Sequence, residues 1–150
     1  MNTCKKLLAA LCVMALFITS IPLGAKAADT NSEESNYDYT VEDYAIITKY
    51  KGTNDIVKLP DKLGNNNVLS VGMSAFANNS TLRVLHSNIT TKIGIASFSD
   101  CSSLSMVTLP SVVTIREKAF ENCTSLSTLE LNSSLTKIEK DAFLNCNALT

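Results

Sequence analysis

Four phenylalanines, Phe76, Phe98, Phe120 and Phe143, follow one another at steps of 22, 22 and 23 residues, each behind a small residue: Ala75, Ser97, Ala119 and Ala142. The only other phenylalanine is Phe17. A period of this length limits the fold to a solenoid, in which each repeat is one unit that packs mainly on its neighbours. Aligned on the phenylalanine, other positions fall into columns. Five residues before it stand Val71, Ile93, Ile115 and Ile138; six after it stand Leu82, Leu104, Leu126 and Leu149; nine after it stand Leu85, Val107 and Leu129. These columns are expected to face inward. From the last of them the sequence alternates apolar and polar residues towards Ser87, Leu109 and Leu131, which predicts a short strand. The pairs Val112/Ile115 and Leu135/Ile138 predict a second extended piece on the other side of each coil.

A single coil buries too few apolar side chains to offset the conformational entropy of ordering it, so the coils must stack, with parallel backbone ladders pairing the buried amides. The first repeat is imperfect. Ile56-Val57-Lys58-Leu59-Pro60 has the form of Met106-Val107-Thr108-Leu109-Pro110, but six extra residues, rich in Gly and Asn, separate Leu59 from Val68. Their composition predicts a surface turn rather than a core element. Before it, the segment around Tyr37, Tyr39, Tyr44 and Tyr50 is rich in aromatic and β-branched residues, so residues 37–52 are read as an N-terminal β cap over the first edge of a solenoid spanning 53–150. At the other end Leu149-Thr150 fall where another strand is due, which reads as an uncapped C-terminal edge.

The N-terminus has a different character. Lys5-Lys6, an apolar run from Leu7 to Leu23 and a Gly-Ala-Lys-Ala exit have the three parts of a secretory signal peptide, with cleavage expected after Ala27. Residues 28–36 are polar and acidic and predict a flexible leader. Cleavage removes Lys5, Lys6 and Lys26 and no acid, so 13 − 3 = 10 basic residues face 14 acidic ones. That balance argues against nucleic acid, whose phosphates require a basic patch. The remaining cysteines, Cys101, Cys123 and Cys146, cannot all pair with one another, and each stands three residues after a phenylalanine, in the column occupied by Asn79 in the first clear repeat. A buried thiol ladder is the expected arrangement, since zinc needs four convergent ligands.

The run Cys101-x-x-Leu104-x-x-Val107-x-Leu109-Pro110-Ser111-Val112-x-x-Ile115-x-x-x-Ala119-Phe120-x-x-Cys123 resembles the repeat of BspA-type leucine-rich-repeat proteins of the bacterial and treponemal class. The unit from Cys123 to Cys146 has Asn132 in place of the proline. The unit before Cys101 has Ser87 and Asn88 for the leucine and proline, and Arg116 and Glu139 stand where Gly72 and Gly94 occur earlier. The resemblance implies a right-handed leucine-rich-repeat solenoid with a parallel sheet on its concave face and short turns or extended pieces on the convex side. It also implies export, surface display and a role in adhesion or protein binding.

No catalytic constellation is evident. His86, the only histidine, has no nucleophile and orienting partner in a local motif. Glu117, Glu121, Glu130, Glu139 and Asp141 fall in repeat positions that a solenoid distributes over different surfaces, unlike a glycosidase pair. No cofactor or metal is expected, and the chain reads as a non-enzyme. The candidate partner-binding residues are those flanking the inward strand positions: Val84, Met106 and Thr128, in a column begun by Ile56, and Lys58, His86, Thr108 and Glu130 beside them. An apolar column next to a mixed charged one suits a protein or glycan ligand, of unstated identity, held on the concave face. The alternative is a structural or assembly fragment of a longer repeat protein that self-associates through its C-terminal edge.

Overall fold

The computed structural model describes residues 34–150. The expected signal peptide, its Ala27 cleavage site and the leader up to residue 33 lie outside the described residues. The last leader residues, Glu34–Asn36, form a single 3-10 turn, in contrast to the flexible segment that their polarity predicts. Glu34 explains the order: its Oε1 accepts hydrogen bonds from the Tyr39 hydroxyl at 3.0 Å and from the Gly64 amide at 3.1 Å.

Eleven strands follow: β1 Tyr37–Val41, β2 Ala45–Tyr50, β3 Ile56–Lys58, β4 Lys62–Leu63, β5 Asn66–Val71, β6 Val84–His86, β7 Lys92–Ile93, β8 Met106–Leu109, β9 Thr114–Ile115, β10 Thr128–Leu131 and β11 Lys137–Ile138. They form a β-solenoid of the leucine-rich-repeat type with two sheets. One is a four-stranded parallel sheet ordered β10-β8-β6-β3; the other runs β1-β2-β5-β7-β9-β11, with β4 antiparallel to β5. From β5 onward the second sheet is parallel and paired over two residues per coil. The β1–β2 hairpin is antiparallel and lays β2 parallel to β5, so the tyrosine-rich segment covers the first edge of this sheet.

The six extra residues of the first repeat do more than turn. Lys62–Leu63 pair with Asn66–Asn67, Gly64 adopts φ +57°, and Leu63 is buried. A leucine within a Gly/Asn-rich stretch thus belongs to the core, because the β4–β5 pairing and not local composition decides which way it points.

Between the sheets the chain crosses the third side of each coil in a turn centred on the phenylalanine. Two residues per turn are left-handed: Ser74, Ala96, Lys118 and Asp141 on one side (φ 53°, 49°, 57° and 56°), Asn78, Asp100, Asn122 and Asn145 on the other (φ 62°, 61°, 59° and 61°). Asn and Asp tolerate this region best, which accounts for the second set. The strain is offset by a backbone ladder between coils: the Phe76, Phe98 and Phe120 amides donate to the Ser97, Ala119 and Ala142 carbonyls at 2.8 Å each. The amides of Asn78, Asp100 and Asn122 do the same to Ser99, Glu121 and Leu144, also at 2.8 Å.

The core runs along the axis. Phe76, Phe98 and Phe120 are buried and stacked at centroid distances of 4.8 and 5.2 Å, with Phe143 a further 5.3 Å on. Tyr50 extends the column into the cap at 4.7 Å from Phe76, and Tyr37 continues it at 5.3 Å. Val71, Ile93 and Ile115 are fully buried, but Ile138, in the same column, is 51 % exposed, because β11 has a neighbour on one side only among the described residues.

Candidate functional site

In the four-stranded sheet Ile56 pairs with Val84, Val84 with Met106, and Met106 with Thr128. In the same register Lys58 pairs with His86, His86 with Thr108, and Thr108 with Glu130. Between these two columns Val57, Leu85 and Val107 are buried and Leu129 is half-buried. The alternation of a pleated strand therefore turns both candidate columns to the outer face. All the residues singled out from sequence, Lys58, Val84, His86, Met106, Thr108, Thr128 and Glu130, lie on this one surface. Lys58 and Glu130 are exposed; the others are half-buried.

Few of these groups are tied to one another. His86 Nε2 lies 2.8 Å from Asn88 Oδ1, and the Thr108 hydroxyl donates to Glu130 Oε2 at 3.3 Å. Among the described residues neither Lys58 nor Glu130 enters an ion pair, whereas Arg83 and Asp55 pair at 3.7 Å along the rim beside Val84 and Ile56. Asn88, Asp55 and Arg83 are contributors that sequence reasoning missed. The repeat alignment contains the signal, because Asp55, Arg83, Ser105 and Ser127 form the column just ahead of the apolar one.

The cysteines lie elsewhere, in the core. Each thiol is free and buried, and each donates to the carbonyl of the phenylalanine one coil back: Cys101 to Phe76 at 3.2 Å, Cys123 to Phe98 at 3.2 Å and Cys146 to Phe120 at 3.0 Å. Burial pushes the Cys101 thiol up to about 12. Contact with the Cys146 thiol, and then burial, push the Cys123 thiol up as well. Thiols held protonated in this way are poor nucleophiles and poor metal ligands. Asn79 fills the same column in the first coil differently: its Oδ1 accepts from the Thr81 and Leu82 amides at 3.0 and 2.9 Å.

The carboxylates are dispersed. Glu139 is held by Lys137 at 2.8 Å and Arg116 at 3.6 Å and accepts the Glu117 amide at 3.2 Å, so Lys137 first, with help from these neighbours, lowers its pKa. Asp100 is lowered by hydrogen bonds from the Ser99 hydroxyl and then the Asn122 amide. That amide bond, at 2.8 Å, continues as an Asn145-to-Asn122 bond at 2.7 Å, making a polar ladder on the turn side. Among the described residues no group of three or more His, Cys, Asp and Glu side chains is arranged to hold a metal.

Residues 56–150 match the model of the BspA type leucine-rich-repeat region, in six copies. The chain belongs to the BspA-type leucine-rich-repeat family. The solved leucine-rich-repeat protein of T. pallidum is similar in fold, with a TM-score of 0.68, 24 % identity, and coverage of 77 % of this chain and 67 % of that one. A leucine-rich-repeat protein from Eubacterium ventriosum gives a TM-score of 0.47 at 20 % identity, over 76 % of this chain and 45 % of that one. A leucine-rich cell surface protein from Faecalibacterium prausnitzii gives 0.38 at 19 %, over 77 % and 52 %. No curated protein is significantly similar to the chain. The BspA-type repeats account for the division of each coil: the Ala-Phe turn and the cysteine build the interior, and the strand positions around Lys58, His86, Thr108 and Glu130 are left to vary on the surface.

Proposed function

We propose that this BspA-type repeat protein is an exported, non-catalytic binding module that holds a protein partner on the outer face of its four-stranded sheet. The observation that carries the reading is the register of that sheet, which aligns Ile56, Val84 and Met106 beside Lys58, His86, Thr108 and Glu130. An apolar stripe offers a desolvated anchor, and a polar column beside it sets orientation, the division of labour found in protein interfaces. A polypeptide suits the face better than a glycan, because sugar rings are commonly held by stacking on aromatic faces. The face has none: the chain contains no Trp, and its Phe and Tyr residues outside the signal-like region lie in the core, the cap and the flanking loop. Export is supported by the basic start, apolar run and Ala-x-Ala exit of the first 27 residues.

The test is a pull-down against extracellular proteins, comparing the native chain with a variant carrying Met106→Ala, Thr108→Ala and Glu130→Ala. Loss of captured partners by the variant, with an unchanged melting curve, is the expected result. Equal capture by both would overturn the assignment to this face.

A further inference from the structure

The two surface columns change along the solenoid axis in a directed way. From β3 to β10 the polar column reads Lys58, His86, Thr108, Glu130, a cation at one end and a carboxylate at the other. Its neighbour reads Ile56, Val84, Met106, Thr128, aliphatic at the Lys58 end and in the middle, polar at the Glu130 end. Lys58 and Glu130 are both exposed and in no ion pair among the described residues. Along the rim, Asp55 and Arg83 pair with each other at 3.7 Å. The field of this face is therefore axial, with its opposite ends on the first and fourth strands.

Three inter-strand steps of ~4.8 Å separate those ends, about 14 Å along the axis. An extended peptide covers about 13 Å in four residues, and its side chains at i, i+2 and i+4 point the same way. We propose that the occupant of this face is an extended peptide segment lying along the solenoid axis, across the strands. It has an acidic residue and a basic residue four positions apart and an aliphatic residue midway between them. The acid meets Lys58, the base meets Glu130, and the aliphatic residue packs on Val84 and Met106. The proposal rests on the assignment of partner binding to this face and adds the chemistry of the partner.

The intermediate groups fit the same occupant. His86, with Nε2 against Asn88 Oδ1 at 2.8 Å, and Thr108 are uncharged polar groups between the two charged ends and beside Val84 and Met106. The Thr108 hydroxyl, donating to Glu130 Oε2 at 3.3 Å, orients the carboxylate that receives the base. The peptide backbone runs across the strands and makes no ladder with them. Acid-first and base-first segments therefore both fit by reversing direction, and only the pairing of charge with end is fixed.

A fluorescence-polarisation titration of the full chain with labelled heptapeptides tests this. The peptides carry an aliphatic centre flanked two residues away by acid and base, by two acids, or by two bases. The mixed peptides in either order are expected to bind about two- to five-fold more tightly than the like-charged ones, the factor an exposed ion pair supplies, and the difference is expected to shrink with added salt. Lys58→Glu is expected to move the preference to the two-base peptide, and Glu130→Lys to the two-acid peptide. Binding that ignores charge arrangement but is lost in Met106→Lys overturns the axial-peptide proposal while keeping the face as a docking surface. Binding unchanged in Lys58→Glu, Glu130→Lys and Met106→Lys overturns both. No binding by any heptapeptide up to millimolar concentration overturns the peptide proposal.

Discussion

Phe98 has a ring on each side, 4.8 Å from Phe76 and 5.2 Å from Phe120, and no exposed surface. Phe143 is half-buried and touches one ring, Phe120. Phe98→Ala is therefore expected to cost about 3–5 kcal/mol in urea unfolding, and Phe143→Ala distinctly less. Equal costs would contradict the continuous aromatic spine. The thiols beside that spine give a pH prediction. Cys101 titrates at about 12 in the fold against an ordinary 9.0, so its proton is held more tightly in the folded state. The stabilisation is complete below pH 9.0 and is lost as the pH rises towards about 12, at ~1.4 kcal/mol per pH unit for each such thiol. The urea midpoint should fall over that window, and Cys101→Ala should flatten the fall. At neutral pH, alkylation of Cys101 and Cys123 should occur only after unfolding.

At the scale of the repeat, the coil from Phe76 to Phe98 departs from its neighbours and compensates internally. Ser87 stands where Leu109 and Leu131 stand, and Thr90 where Val112 and Leu135 stand. Both are buried, and they satisfy each other: the Ser87 hydroxyl donates to Thr90 Oγ1 at 2.7 Å, and Thr90 Oγ1 donates to the Val68 carbonyl at 3.3 Å. Thr90→Val strips Ser87 of its acceptor and is expected to cost about 1–3 kcal/mol, while Ser87→Ala with Thr90→Val should cost less than the sum of the single changes. Additive costs in a double-mutant cycle would show that the two hydroxyls are not coupled. Glycine has a comparable local reason. A Cβ on Gly94 would stand 2.5 Å from the Val71 carbonyl oxygen and 2.8 Å from the Gly72 carbonyl carbon, so any side chain there would collide with the backbone of the preceding coil.

Across the whole molecule, stability passes from coil to coil, and the cap is part of the chain of contacts: Tyr50 stacks on Phe76 at 4.7 Å, and its amide donates to the Ala75 carbonyl at 2.8 Å. Tyr50→Ala should therefore raise amide hydrogen exchange most at Phe76 and Asn78, less at Phe98, and least at Phe120, as nearest-neighbour coupling requires. A uniform rise would argue for all-or-none unfolding. The period of 22 and 23 residues, read from the sequence, determined the solenoid, the inward columns and the residues that share the four-stranded sheet face, because stacking at a fixed repeat leaves each position one environment. It did not determine what depends on contacts outside the period. Leu63 joins the core although it lies in a Gly/Asn-rich insertion, Tyr50 joins the phenylalanine column although no repeat contains it, and Glu34 orders the end of a polar leader through Gly64. The thiols' carbonyl acceptors, the Ser87–Thr90 pair and the absence of an ion-pair partner at Lys58 and Glu130 among the described residues likewise rest on distances between coils. Periodicity fixes which residues become neighbours; only packing in three dimensions decides which of their polar groups are satisfied by one another and which are left exposed to solvent.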